Sequence, residues 1–291
     1  NDLEVASDFI DIECLDRFTE QAIKWLDGQA SASRNGKPFM LYLSYTSPHK
    51  PVIPLKRFRG KGGAGAYGDF MMETDWHVGR VLDCIDKNKL TDNTVVVFTS
   101  DNGPESTWRR RIEEYNHHSN GIYREGKRSI YEGGHRVPFL IRWPNNVKAS
   151  SKWDSPVCQT DFLATFADIL GKKLPENAGE DSVSFYKALI GQDAPQRFAM
   201  IHHSMRGRYA VREGKWKLIM ESGSKDSKRE LYDLSVDPGE LSNLIVKYPD
   251  VAERLKKSIT EIIQNGRTTP GRAQKNDTKF WSDLHWMSDP D

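Results

Sequence analysis

Cysteine is scarce in this chain. Three thiols, Cys14, Cys84 and Cys158, are scattered over 291 residues. Their spacing is not that of a metal site, and an odd number cannot all pair internally. Cys14 and Cys84 fall in helical patterns, so buried free thiols are expected. An excess of one charge is lacking too: 42 basic residues against 41 acidic leave a formal net charge of +1. That balance gives no electrostatic reason to bind nucleic acid or a membrane surface. No apolar run approaches the roughly 20 residues of a bilayer span. There is no repeat, no low-complexity segment and no signal peptide. The chain starts at Asn1 without a methionine and reads as the interior of a longer protein.

What is present is organised around residues 93–144. The β-branched run Val95-Val96-Val97-Phe98-Thr99 stops at Asp101-Asn102-Gly103-Pro104-Glu105. That is the pattern of a buried strand ending in a turn. In α/β proteins ligands gather beyond the carboxyl ends of the strands. Asp101 and Asn102 both offer the hard oxygen ligands that Ca²⁺ or Mg²⁺ prefers. The plainer alternative is an Asx-turn with Gly103 in a left-handed conformation. A glycine- and charge-rich stretch, Ser119 to Pro138, then runs into a second strand, Phe139-Leu140-Ile141-Arg142. Upstream, Pro38 to Tyr45 reads as another buried strand, ending in Pro48-His49-Lys50-Pro51. The flanking prolines fix the backbone around His49.

Helical periodicity covers Asp8 to Asp27, Tyr67 to Asp86, Ser155 to Gly171 and Pro249 to Gln264. Trp108 to Asn116 reads as a short helix or a loop, and Ser184 to Ile190 as part of a connection. The alternation of helix and strand predicts βα units. From Arg197 the texture changes to short alternating runs at 198–203, 209–212, 215–219 and 230–234, which predicts a small antiparallel sheet. The tail beyond Asn265, with Trp281 and Trp286, reads as a surface strap. Arg109-Arg110-Arg111 reads as a solvated face, or as a help in attracting a polyanion.

The Asp101-Asn102-Gly103-Pro104-Glu105 turn, the Gly126-Lys127 to Tyr131-Glu132-Gly133-Gly134-His135-Arg136-Val137-Pro138 segment and the closing Asp237-Pro238-Gly239-Glu240 signature together resemble the sulfatase family, within the alkaline phosphatase superfamily. The resemblance extends over most of the chain. It implies an alkaline-phosphatase-like α/β/α sandwich, incomplete at its N-terminal side. Residues 1–190 would be the C-terminal portion of the catalytic domain. Residues 191–291 would be a small antiparallel subdomain with its helix and tail. Asp101 and Asn102 would be ligands of one Ca²⁺, with Mg²⁺ as the alternative ion. Lys127 and His49 would be catalytic, Lys127 on the sulfate and His49 as sulfate contact and general acid. His118, Arg124, His202, His203 and Arg206 are the substrate-binding candidates, and the Val52 to Gly68 loop resembles the family's mobile loops near the substrate.

The remaining parts of such a site are expected outside these residues. The family that the chain resembles carries a Cys- or Ser-x-Pro-x-Arg motif whose first residue becomes the formylglycine nucleophile, and none of the three cysteines here stands in such a motif. A missing N-terminal segment or chain is therefore the expected partner, and the 291 residues alone are expected to be inactive. The implied substrate is a sulfated saccharide of the N-acetylgalactosamine 6-sulfate kind, and the implied location is periplasmic or secreted. Two other readings stand beside this one. They are a phosphodiesterase or phosphonate hydrolase of the same superfamily, and a glycan-binding chain without turnover.

Overall fold

The computed structural model describes residues 7–223, 227–277 and 281–287. In chain order the helices are α1 (Cys14–Arg34), α2 (Gly65–Lys87), α3 (Trp108–Tyr115), α4 (Glu132–His135), α5 (Phe162–Ile169), α6 (Tyr186–Leu189) and α7 (Pro249–Asn265). The strands are β1 (Val96–Thr99), β2 (Phe139–Arg142), β3 (Met200–His203), β4 (Tyr209–Glu213), β5 (Trp216–Ile219) and β6 (Glu230–Asp233). β1 and β2 form one two-stranded sheet, and β3 to β6 form another in sequential order. The chain divides into two compact units: residues 1–97, 107–119 and 141–145, and residues 98–106, 120–140 and 146–291.

The first unit is built on α1 and α2. Leu15, Thr19, Ala22, Leu26 and Ala30 recur every three or four residues along α1 and form its buried stripe. Leu26 and Ala30 pack with Cys84, Ile85 and Leu90, flanked by Phe39, Leu41 and Val96. Both Cys14 and Cys84 are buried free thiols, as their helical positions predict. Residues 38–46 carry no strand ladder. Burial still alternates there, with Met40 and Tyr42 strongly exposed. The side-chain pattern of a strand is local, but a strand also needs a neighbouring backbone to bond.

The loop before α2 is tied down rather than loose. The buried carboxylate of Asp69 accepts the backbone N–H groups of Gly60, Lys61 and Gly62 at 2.7–2.9 Å. Burial opposes ionisation of Asp69, and these three donors outweigh it, so its pKa lies below the ordinary value. Glu73 Oε2 accepts the N–H of Leu55 at 2.8 Å. The arginine trio is not a uniform surface either. Arg111 is buried, donates to Thr107 and Ser119 and lies 3.8 Å over the Tyr67 ring. Arg110 stays on the surface in an i,i+4 pair with Glu114.

The second unit centres on the antiparallel sheet, where Met200 pairs with Arg212, Val211 with Leu218 and Leu218 with Leu231. One face packs Val211, Leu218 and Leu231 against Ala252, Leu255 and Ile259 of α7. The other packs Ala210, Ile219 and Tyr232 against Ile130. Gly266, in the left-handed conformation, ends α7. Trp286 returns to α7 and donates to Thr260 Oγ1 at 3.2 Å, so this part of the tail does strap the helix.

Candidate active site

The second unit holds most of the candidate residues. After β1 the chain turns at Asp101. Asp101 Oδ1 accepts the N–H of Asn102 at 2.9 Å, and Asn102 Nδ2 donates to the carbonyl of Gly103 at 2.9 Å. Both bonds join adjacent residues, and the N–H of Gly103 goes to Gly134 instead of back to Asp101, so the Asx-turn of the plainer reading is not formed and Gly103 is not left-handed. The turn leaves Asp101 Oδ2 and the Asn102 amide oxygen free of these bonds. Among the described residues no basic group pairs with Asp101 within 4.0 Å. Two hard oxygen donors side by side fit a cation such as Ca²⁺, as part of a sphere of six to eight.

Gly103 is required for packing, not for its backbone angle. A Cβ there would lie 1.8 Å from the carbonyl oxygen of Gly133. Its N–H donates to the carbonyl of Gly134 at 2.9 Å, and the N–H of Lys127 donates to the carbonyl of Pro104 at 2.8 Å. Gly133 in turn fits against the carbonyls of Arg124 and Glu125, which a Cβ would meet at 2.4 and 2.3 Å. The glycines allow three backbone segments to touch, and the Asp101–Asn102 turn is thereby set beside Lys127. No carboxylate among the described residues lies within 4.0 Å of the Lys127 ammonium. Arg128, next in sequence, makes a bidentate pair with Glu105 at 2.6 and 2.7 Å. That pair and the N–H of Ser106 hold the Glu105 carboxyl well below the ordinary carboxylate range.

Behind this turn lies a buried ionic network. Lys217 of β5 is fully buried, with its Nζ 3.0 Å from Glu132 Oε1 and 2.9 Å from Glu240 Oε1. Glu240 Oε2 accepts the N–H of Glu132 at 2.6 Å. Burial disfavours the Glu132 carboxylate, but the His135 hydrogen bond and the Lys217 charge prevail and keep it ionised. For Glu240 burial prevails, and its pKa is raised. The alternation of residues at 215–219 predicts a strand here, but nothing in it marks Lys217 as the buried centre of the network.

An open cleft of about 300 Å³ is lined by Asp101, Asn102, Arg128, Ser129, Gly134, His135, Ile201, His202 and His203. His135 Nε2 lies 3.2 Å from Glu132 Oε1, and its ring stacks on His202 at 4.0 Å and 24°. Donor atoms of Glu132, His135 and His202 lie within 4.8 Å of one another, a spacing a metal ion can bridge. Near-parallel stacking, however, sets the in-plane lone pairs of the two rings side by side instead of toward one point. Lys217 already faces the carboxylate. The arrangement reads better as a carboxylate–imidazole pair than as a chelate.

The other sequence candidates divide. His203 is exposed and stacks on Tyr209 at 4.3 Å. Arg206 is exposed. The half-buried Arg124 guanidinium donates to Tyr232 and to the Glu240 carbonyl and lies 3.7 Å over the Tyr131 ring, so it braces the fold. Arg208, two residues beyond Arg206, pairs with Glu230 at 3.0 Å.

His49 and His118 belong to the first unit. His49 is exposed in a turn closed by its own N–H to the Thr46 carbonyl at 3.0 Å. Its Nδ1 meets the Lys50 carbonyl at 2.7 Å. A carbonyl only accepts, so Nδ1 carries the hydrogen and Nε2 is the atom that can take up or give a proton. His118 is exposed, whereas His117 is half-buried against Tyr67 at 5.9 Å.

A sequence profile described as "Sulfatase" matches residues 13–172, and one described as "N-sulphoglucosamine sulphohydrolase, C-terminal" matches residues 121–265. The chain belongs to the sulfatase family. An N-acetylgalactosamine-6-O-sulfatase of Bacteroides thetaiotaomicron is 36% identical over 79% of this chain and 48% of its own length. Human arylsulfatase A is 32% identical over 79% of the chain and 50% of its own. Among solved structures, one from work on the metabolism of multiple glycosaminoglycans by Bacteroides thetaiotaomicron superposes with a TM-score of 0.79. It is 33% identical and covers 87% of this chain and 55% of that one. Another, in complex with its substrate D-glucosamine-2-N,6-O-disulfate, has a TM-score of 0.55 at 26% identity, covering 67% and 39%. The chain thus spans about half the length of these relatives, and its likeness to them supports the α/β sulfatase fold.

Proposed function

We propose that the protein carrying this sulfatase chain hydrolyses a sulfate ester of a saccharide. The observation that carries this reading is the Asp101–Asn102 turn fastened to Lys127 by the Gly103–Gly134 and Lys127–Pro104 backbone hydrogen bonds. Asp101 and Asn102 are the cation ligands of this reading. A bound Ca²⁺ would neutralise charge on the sulfate oxygens. Lys127 supplies an ammonium to the sulfate, and in a setting without a paired carboxylate its charge is available to a ligand anion. The family resemblance makes His49 the candidate proton donor to the leaving alkoxide, and its Nε2 is the nitrogen not held by the backbone. His118, His202, His203 and Arg206 are the saccharide contacts of the proposal.

A formylglycine nucleophile and the remaining cation ligands would come from a segment outside these 291 residues. We place the substrate in the class named for the relative, N-acetylgalactosamine 6-sulfate, and the location outside the cytoplasm. The test is sulfate release from N-acetylgalactosamine 6-sulfate by the full protein, with a phosphodiester as the competing substrate. Sulfate release that is lost in Asp101→Ala and Lys127→Ala supports the proposal. Turnover of the phosphodiester alone overturns it.

A further inference from the structure

His135 lies in the cleft beside Asp101 and Asn102, and its environment specifies which hydrogen bonds it can make. Its Nε2 faces Glu132 Oε1 at 3.2 Å. An ionised carboxylate only accepts, so the ring hydrogen sits on Nε2 and the second nitrogen, Nδ1, is bare. Glu132 cannot swing away, because Lys217 holds Oε1 at 3.0 Å and Glu240 holds its backbone N–H at 2.6 Å. The charged and titratable groups around the ring are Glu132, Lys217 and Arg212, with His202 stacked on it and Arg136 on the far oxygen of Glu132. Burial is the largest influence, and with the Lys217 and Arg212 charges it outweighs Glu132 and keeps the imidazole neutral below its ordinary pKa. Stacking on His202 at 4.0 Å fixes the ring plane.

A neutral acceptor of fixed orientation discriminates between ligands. It accepts from a sugar hydroxyl, which has a hydrogen to give. A sulfate or carboxylate oxygen has none, and would be left against a lone pair. We infer that His135 is a specificity-determining residue whose Nδ1 accepts a hydrogen bond from an unsubstituted hydroxyl of the bound saccharide. Glu132 and, behind it, Lys217 and Glu240 are positioning residues for that ring. The inference rests on the saccharide reading of the cleft, though not on turnover.

The first measurement is the ¹⁵N spectrum of histidine-labelled chain at pH 7. The expected His135 signal shows a protonated Nε2 and a bare Nδ1, with the tautomers mixing in Glu132→Gln. A protonated Nδ1 overturns the inference. The second measurement follows His135 Nδ1 while unsulfated N-acetylgalactosamine, and then its 6-sulfate, is added to the full protein. The Nδ1 resonance is expected to shift with both, and an unmoved resonance in a protein that binds the sugar overturns the inference. The third is kinetic: His135→Ala raises KM for the 6-sulfate at least tenfold with kcat nearly unchanged, and His135→Gln, which keeps an acceptor, recovers part of the loss. An unchanged KM overturns the inference while leaving the sulfatase reading intact. Sugar-dependent Nδ1 shifts without sulfate release would sink the sulfatase reading alone.

Discussion

Gly103 sets the sharpest requirement on a single residue. The carbonyl of Gly133 stands where any Cβ would be, 1.8 Å away, and backbone cannot rotate aside as a side chain can. Gly103→Ala should cost about 1–3 kcal/mol or more of stability, as overpacking does. It should also weaken cation binding at Asp101, read by thermal unfolding with and without Ca²⁺. His77 gives a pH signature. It is fully buried, its Nδ1 lies 2.8 Å from Thr19 Oγ1, and burial lowers its pKa from 6.5 to about 4. The unfolded chain therefore takes up the proton first. Stability from this residue is complete above about pH 6.5 and is lost as the pH falls toward 4. Tm measured from pH 7.5 to 4.5 should fall more steeply in the native protein than in His77→Gln. Equal slopes would mean that His77 does not carry the effect.

Among the elements, β5 and α4 are joined through Lys217. Removing one partner of a buried ion network leaves the others without counter-charge. Lys217→Met, with Glu132 and Glu240 retained, should cost about 3–5 kcal/mol. Urea denaturation gives the number. Adding Glu132→Gln and Glu240→Gln should recover part of it, because fewer buried carboxylates are then uncompensated. The four strands of the small sheet and the long helix α7 were readable in the sequence. Alternation with period two and a 3.6-residue stripe are local properties, and each element meets its own partners within the unit. Residues 38–46 show the limit of that reading. Their alternation was visible, but whether an extended segment becomes a strand depends on a neighbour that no local pattern contains.

For the whole molecule, the test lies in the cation site proposed at Asp101 and Asn102. Two oxygen donors from Asp101 and Asn102 fall short of the six to eight that Ca²⁺ takes. The 291-residue chain alone should bind Ca²⁺ only weakly, on the order of millimolar or weaker. It should release no sulfate, and calorimetry and an ion-chromatographic sulfate assay test the two halves of that expectation. Asp101→Ala should abolish the residual Ca²⁺ heat, and an unchanged isotherm would remove Asp101 from the ligand set.

The sequence by itself determined the family, the long helices and the small antiparallel sheet, and the types of residue at the candidate site: hard oxygen donors at Asp101 and Asn102, a lysine at 127 and a histidine between prolines at 49. These follow from short-range patterns and from motifs in which neighbours in the chain act together. Tertiary structure alone decided which charges are buried and which are free. Arg111 and Arg124 look like available cations in the sequence, yet Arg111 is buried against the Tyr67 ring and half-buried Arg124 is bound to the Glu240 carbonyl over the Tyr131 ring. Lys217 looks like one surface lysine among many, yet it sits between Glu132 and Glu240. The physical reason is that a charge is worth what its surroundings make it. Those surroundings are assembled from residues as far apart as 132, 217 and 240, which meet only in the folded chain.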